Sequence, residues 1–343
     1  MSLATALKTG DLTQLPSRRD EDWRWTDLRG LVRTLPPASP VHGQDVAPGP
    51  FDGLAADQIL FVNGRQRHAA ASGAGEVIAL RFVSATEATA HAASYAIVVE
   101  PGATLVLLES HEGRAAGYMS DVTLDIAVGE GARVERIVLV DDQAEAITVV
   151  TAEVDLAPGA VFNQTVLTHG ARRQRIETRV THPGAHANVR LDGVYVLADQ
   201  RHADQTTVVT HAGVDGTTSQ LTKGVVADQA RGVFQGRIVV QPGADQTDAR
   251  MGHHALILSD RAEVDAKPEL LIFADDVACA HGNTIGALDD EAIFYARQRG
   301  IPETEARAML TQAFLGEVVE RIAHDGAREI ASTWLAARLG RSD

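Results

Sequence analysis

The stretch SYAIVVEPGATLVLLES, residues 94–110, decides the fold. Two runs of aliphatic and β-branched residues flank a Pro-Gly-Ala corner, the composition of two strands joined by a tight turn. A Gly-Ala corner returns at Gly131 in VTLDIAVGEGARVERIVLV (122–140) and at Gly159 in ITVVTAEVDLAPGAVFNQTVL (147–167). It returns again at Gly184 in ETRVTHPGAHANVRLDGVYVL (177–197) and at Gly243 in GRIVVQPGADQTDARM (236–251). Successive gaps from Gly102 are 29, 28, 25 and 59 residues, the last close to two periods. A corner repeating at that interval, with no helical period between, predicts a solenoid of stacked β coils. Each coil leaves an inner face uncovered until a neighbour stacks on it, so both ends need closing. A sandwich or a pair of barrels also spaces short strands evenly, but would vary its turn chemistry more.

Outward from this repeat the texture changes twice. Residues 1–35 read as short helices carrying Leu3, Leu7, Leu12 and Leu15, broken at Pro16 and followed by EDWRWTDLRGL. Residues 36–56 hold five of the twelve prolines and read as a linker, which sets the start of the β region at 57. That region runs to 286, and 287–343 form a helical subdomain. In it, DDEAIFYARQRG (289–300) has acidic residues first and arginines last, which complements helix polarity. Pro302 opens a second helix whose Met309, Leu310, Ala313, Phe314, Val318 and Ile322 form an apolar stripe, and AREIASTWLAARL (327–339) makes a third.

A net charge of −15 repels a phosphate backbone or an anionic membrane, which argues against nucleic acid and membrane surfaces as partners. No apolar run approaches the length of a membrane helix, and the opening residues lack the basic start and long apolar centre of a signal peptide. A cytoplasmic location is expected. With Cys279 as the single cysteine there is no internal disulfide, and no cluster of four cysteines can be built by this chain alone.

Cys279 stands two residues before His281 in DDVACAHGNT (275–284). If the chain stays extended here, residues two apart face one side, and Cys279, His281 and Asp275 share it. Thiolate and imidazole are ligands for iron or zinc, but two of them make half of a four-coordinate site. The remaining ligands then come from elsewhere in the chain, from another subunit or from a cluster's own sulfide. The competing readings are a buried thiol beside a turn histidine, and a Cys-His nucleophile. Other histidines are weaker: adjacent His253 and His254 face opposite sides of a strand, a Pro-Gly turn separates His182 from His186, and His202 and His211, among polar residues, are expected to meet solvent. No phosphate-binding loop is present.

The segment LILSDRAEVDAKPELLIFADDVACAHGNTIGALDDEAIFYARQRGI (256–301) resembles the C-terminal signature of the SufB/SufD family, in its SufD branch. KGVVADQARGVFQGRIVVQPGADQTDARM (223–251) resembles the same family, and PSRRDEDWRWTDL (16–28) looks like its opening motif, so the likeness spans nearly the whole chain. The SufB paralogue is longer, has several cysteines, and carries a Cys-rich stretch where this chain reads SDRAEVDAKP.

The resemblance implies a mainly β protein, a right-handed parallel β-helix flanked by N-terminal and C-terminal helical subdomains. It implies a non-catalytic scaffold subunit of the SufBCD complex, pairing with SufB through the β-helix and with the ATPase SufC through the C-terminal helices. It further implies His281, with Cys279 beside it, as a candidate ligand of iron or a transient iron–sulfur cluster at the SufB interface. Reduced flavin is linked to the family's complex, though no flavin motif is visible in this chain. Phe294, Tyr295, Arg299 and Phe314 are the candidates for SufC docking. Two other classes stay open: a β-helix enzyme acting on polysaccharides, with Asp125, Asp155 and Asp192 on separate repeats, and a structural homodimer that forms through an exposed sheet edge.

Overall fold

The computed structural model describes residues 1–41, 43, 45–55, 57–68 and 76–339. Positions 42, 44 and 56 of the expected linker, 69–75 of the expected β region and 340–343 of the expected helical tail lie outside them. Helix α1 (Leu3–Thr9) and two single 3-10 turns (Leu12–Gln14, Glu21–Trp23) precede β1 (Asp57–Val62), β2 (Arg65–His68) and β3 (Val77–Ser84). The repeat then supplies β4 (Ala90–Val99), β5 (Thr104–Gly113), β6 (Met119–Val128), β7 (Arg133–Asp141), β8 (Ile147–Leu156), β9 (Val161–Thr168) and β10 (Arg173–His182). It continues through β11 (Asn188–Leu197), β12 (His202–His211), β13 (Thr217–Val226), β14 (Arg231–Val240), β15 (Asp248–Ile257), β16 (Glu263–Ile272) and β17 (Ala278–Gly286). Three helices close the chain, α2 (Asp290–Gln298), α3 (Glu303–Val319) and α4 (Asp325–Leu339). None is long and apolar enough to cross a membrane.

Consecutive strands from β4 onward alternate between two sheets. Even-numbered strands form a seven-stranded sheet; odd-numbered strands, with β2 at the outer edge, form a ten-stranded one. Every pairing among them is parallel except β1 with β2. This is a parallel β-solenoid of about seven turns, as the repeat predicts.

The register runs Thr104, Arg133, Val161, Asn188, Thr217, Asp248 and Ala278 from coil to coil. Two residues before each of the first six of these, the corner residue is left-handed: Gly102, Gly131, Gly159, His186, Asp215 and Gln246. Gly184 and Gly243, taken from the sequence as equivalent corners, sit earlier within longer turns. The early Gly184 shortened one gap to 25, and the next reached 59 because the corner between carries no Gly-Ala pair. Asp215, at φ 57°, occupies the corner that seemed to be skipped, a conformation short polar side chains tolerate.

Alternate side chains point into the coil and stack in rows. Leu105, Leu107, Val134, Phe162, Val189 and Leu191 meet Val122, Leu124, Ile126, Val154 and Val209 of the facing sheet. Burying each is worth roughly 1.5–3 kcal/mol, and no coil gains this without a neighbour above and below.

The terminal segments cover the outer faces of the sheets rather than capping the ends. Residues 16–28 lie on the even-numbered sheet, gripped by fully buried Arg175. Its guanidinium donates to the Asp22 carbonyl (2.7 Å), Asp204 (2.8 Å) and Glu177 (2.9 Å), and sits over the Trp23 ring. His202 donates from Nε2 to the Trp25 carbonyl beneath the same segment. His211 is buried inside the coil, stacked on His182 with ring centres 4.3 Å apart. Both histidines were expected at the surface. Their polar neighbours are themselves buried, so local composition misled.

On the odd-numbered sheet, Leu108, Ile137, Leu139, Leu167, Val194 and Val225 face outward and are covered by Phe51 and by Leu315, Val318, Ile322, Trp334 and Leu335 of the C-terminal region. Polar clasps fix those helices. Glu135 accepts from the Ala323 and His324 amides at 2.6 and 3.0 Å, Arg321 reaches Asp192 at 3.1 Å, Arg338 reaches Asp141 at 2.6 Å, and Lys223 pairs with Glu317.

Candidate functional site

The solenoid ends at β16 and β17, and among the described residues no coil stacks on them. The register sets Cys279 beside Ala249, His281 beside Met251, Asn283 beside His253 and Ile285 beside Ala255. Those four residues of β15 are buried, so Cys279, His281, Asn283 and Ile285 continue the inward rows into an open mouth. Across from them, Val264, Ala266, Pro268, Leu270 and Ile272 continue the rows of Gly232, Phe234, Gly236, Ile238 and Val240. Phe234, Ile238 and Met251 form the floor, with Leu270 and Cys279 half-buried against it. One wall is thus apolar and the other carries thiol, imidazole and amide. Ile272 and Ile285, at 40% and 42% exposure, mark the rim as an unpartnered apolar surface.

His281 is exposed at this mouth and Cys279 is half-buried on the same strand face. Residues two apart on a strand are separated by about 6.6 Å, within the span of one polynuclear ligand. Asp275 does not join them. The chain bends at 273–277 between β16 and β17, which belong to different sheets, so the expected single extended run is two strands and a corner. Among the described residues no group of three or more His, Cys, Asp or Glu gathers to hold a metal ion. The pair therefore fits part of a coordination shell, with sulfur and nitrogen donors suited to iron. Burial pushes the Cys279 thiol up from its ordinary value, the opposite of what an activated nucleophile needs.

Behind the mouth lies a hydrogen-bonded line that local sequence spacing does not reveal. The Tyr195 hydroxyl meets His253 Nε2 at 2.9 Å, and His253 Nδ1 meets Asn283 Oδ1 at 2.7 Å. The His253 ring is fully buried and lies flat on Phe234, centres 4.6 Å apart and planes within 3°. Burial lowers its pKa to about 4, so the ring is neutral near pH 7. Room for the Tyr195 ring comes from Gly224 and Gly232, where an added Cβ would stand 1.8 and 2.6 Å from it. His254, as expected, faces the other way and meets Thr284 Oγ1 at 2.7 Å on the exposed side. Asn283 was not singled out from the sequence. Its signal is that it shares the inward parity of Cys279 and His281.

The tail candidates separate. Phe294 and Tyr295 on α2 are 63% and 61% exposed, and Arg299 stacks on Tyr295 while Nη2 donates to its hydroxyl at 2.8 Å. Asp289 caps α2 by accepting from the Glu291 amide at 2.9 Å. Phe314 instead packs against the sheet, with the Lys223 ammonium 4.5 Å above its ring. Asp125, Asp155 and Asp192 are not brought together. The first two lie on the even-numbered sheet, and Asp192 is buried under α3 and α4 on the other sheet, beside Arg190 and Arg321. These three carboxylates make no catalytic groove.

The family model described as SUF system FeS cluster assembly, SufBD core domain, matches residues 82–314. The iron–sulfur cluster assembly protein SufD of Escherichia coli is 28% identical over 98% of this chain and 91% of its own length. An iron–sulfur cluster assembly SufBD family protein of Mycobacterium bovis is 26% identical over 93% of this chain and 88% of the relative. SufD of Bacillus subtilis is 34% identical over a shorter stretch, 36% of this chain.

Proposed function

Because the chain belongs to the SufBD family of iron–sulfur cluster assembly proteins, as a SufD-type member, we propose that it is a scaffold subunit whose open coil end completes a cluster site with a partner chain. The observation that carries this reading is the mouth itself: two metal-binding side chains on an inward row, at a place where the solenoid lacks its next coil and exposes an apolar rim. A SufB-type partner continues the stack, covers Ile272 and Ile285, and supplies the ligands this chain lacks. The growing cluster is the cargo, held by His281 and, through a thiolate, by Cys279. Iron coordination favours the deprotonated thiol, so binding draws the proton off despite burial.

The ATPase partner, SufC, docks on the exposed face of α2 around Phe294, Tyr295 and Arg299. Phe314 acts from beneath, anchoring α3 to the sheet. The clasps of Glu135, Asp141, Asp192 and Lys223 tie α3 and α4 to coils two to five turns from the mouth. A push on α2 then moves the packed stack as a body.

The test is anaerobic reconstitution of the three-protein complex. His281→Ala should assemble normally and form little cluster; full cluster formation by this variant would overturn the ligand role. The paired change Phe294→Ala with Tyr295→Ala should release the ATPase while partner pairing at the mouth persists. A self-paired dimer that excludes a SufB-type partner would favour a purely structural role.

A further inference from the structure

We infer that Asn283 is a third cargo-binding residue at the mouth, donating an amide hydrogen bond to the sulfur side of the cluster, with His253 and Tyr195 as its positioning residues. The inference rests on the reading of the mouth as a cluster site and adds an orientation to it.

The two ends of the Asn283 amide play different parts. Asn283 Oδ1 lies 2.7 Å from His253 Nδ1. A carbonyl oxygen accepts, so Nδ1 carries the proton. The neutral ring then has an acceptor at Nε2, and the Tyr195 hydroxyl donates to it at 2.9 Å. Each partner thereby fixes the next. Phe234 holds the imidazole plane, and two glycines make room for the Tyr195 ring. A buried chain of this kind locks an exposed side chain in one rotamer and one flip state.

What remains of Asn283 is its NH2 group, free on the open side of an exposed strand. An amide NH2 has two hydrogens and no available lone pair, so it cannot ligate a cation. It suits an electron-rich acceptor. Cys279, His281 and Asn283 stand in line at successive inward positions of β17. The first two carry metal-binding atoms and the third a hydrogen-bond donor. The wall is therefore polar along the strand, with iron at the 279–281 end and sulfide or a partner thiolate at the 283 end. Hydrogen bonds to cluster sulfur withdraw charge and raise the reduction potential.

Two substitutions separate this role from a structural one. Asn283→Leu removes both the bond to His253 and the free donor. Asn283→Asp keeps an acceptor for His253 Nδ1 but replaces the outward NH2 with oxygen. Both are made in the reconstituted complex, with pairing followed by gel filtration, thermal unfolding by circular dichroism, and cluster retention by iron release to a chelator. Expected are normal assembly in both, a melting temperature held by the aspartate variant, roughly ten-fold faster iron release in both, and shifted sulfide-to-iron charge-transfer bands. An aspartate variant that matches wild type in release and spectrum would reduce Asn283 to a structural hook and overturn the inference. So would slower release in that variant, because iron and not sulfur would then face position 283. His281→Ala run in parallel distinguishes the two levels. Loss of cluster there with wild-type behaviour at 283 removes only this inference, whereas retention of cluster there removes the site reading itself.

Discussion

The two ends of the solenoid solve one physical problem in opposite ways. At the N-terminal end the inward row finishes in an aromatic plug: Phe61 stacks on Phe82 at 5.1 Å and meets Tyr95 edge-on at 5.8 Å. The odd-numbered sheet stops there at antiparallel β2, an exposed RQRH strand, and the first even-numbered strand is met by an Ala38–Ala90 bridge. Charged, short and reversed edges discourage further pairing. At the C-terminal end the same rows run out into solvent with isoleucines at the rim and a thiol, an imidazole and an amide on one wall. One end is thus closed and the other left unfinished, and the proposed pairing rests on that contrast.

The largest test of this contrast is at the plug. Phe61→Ala should cost about 3–5 kcal/mol of stability, read by urea unfolding, and leave capture of a SufB-type partner unchanged. Loss of capture would mean that the closed end takes part in pairing.

Acid should expose the difference between sealed and open histidines next. His202, His211 and His253 are buried and His91 and His169 half-buried, and burial lowers their pKa values from 6.5 to about 3, 3, 4, 4 and 4. The unfolded chain binds these protons near pH 6.5 and the folded one does not. Their contribution is therefore intact above pH 6.5 and is lost as pH falls toward the folded values. Between pH 7 and 5.5 each should remove about 1 kcal/mol. Asp121 and Asp192 work in the other direction, since burial raises them to about 6 and the folded state gains from their protonation. The five imidazoles outweigh the two carboxyls, and denaturant titrations at the two pH values should differ by roughly 4 kcal/mol in favour of pH 7. Equal stability would mean the rings are not sealed.

At the mouth, Ile285→Asp should weaken partner binding by about 2 kcal/mol, roughly thirty-fold, with little change in the chain's own melting. Val98→Asp, on the outer face of β4 at the closed end, should do neither. Equal effects from the two would break the comparison. The smallest expected change is Tyr195→Phe, which leaves His253 Nε2 without its donor and should cost about 1 kcal/mol in thermal unfolding.

Much of this was legible in the residues. Glycine corners between Val and Ile runs predicted stacked coils, and acidic starts with arginine ends placed α2. That Cys279 and His281 share one face followed from a two-residue spacing, while the register with buried Ala249 and Met251 made that face the inward one. Two kinds of reading failed. Asp275 was placed on a strand that in fact turns a corner, and His202 and His211 were placed in water because their neighbours in sequence are polar. The atoms that bury them belong to Trp25, 177 residues away, and to His182 on the coil before.

By itself the sequence determined the repeat, the parity of each strand and the chemistry available at its last coil, because a two-residue alternation and a turn conformation are local properties of the backbone. The tertiary structure alone decided that the terminal segments cover faces rather than ends, that His253 and Tyr195 stand behind Asn283, and that the last coil stays open. Those depend on contacts between residues about thirty or more positions apart, which the stacking of coils creates and no window of sequence contains.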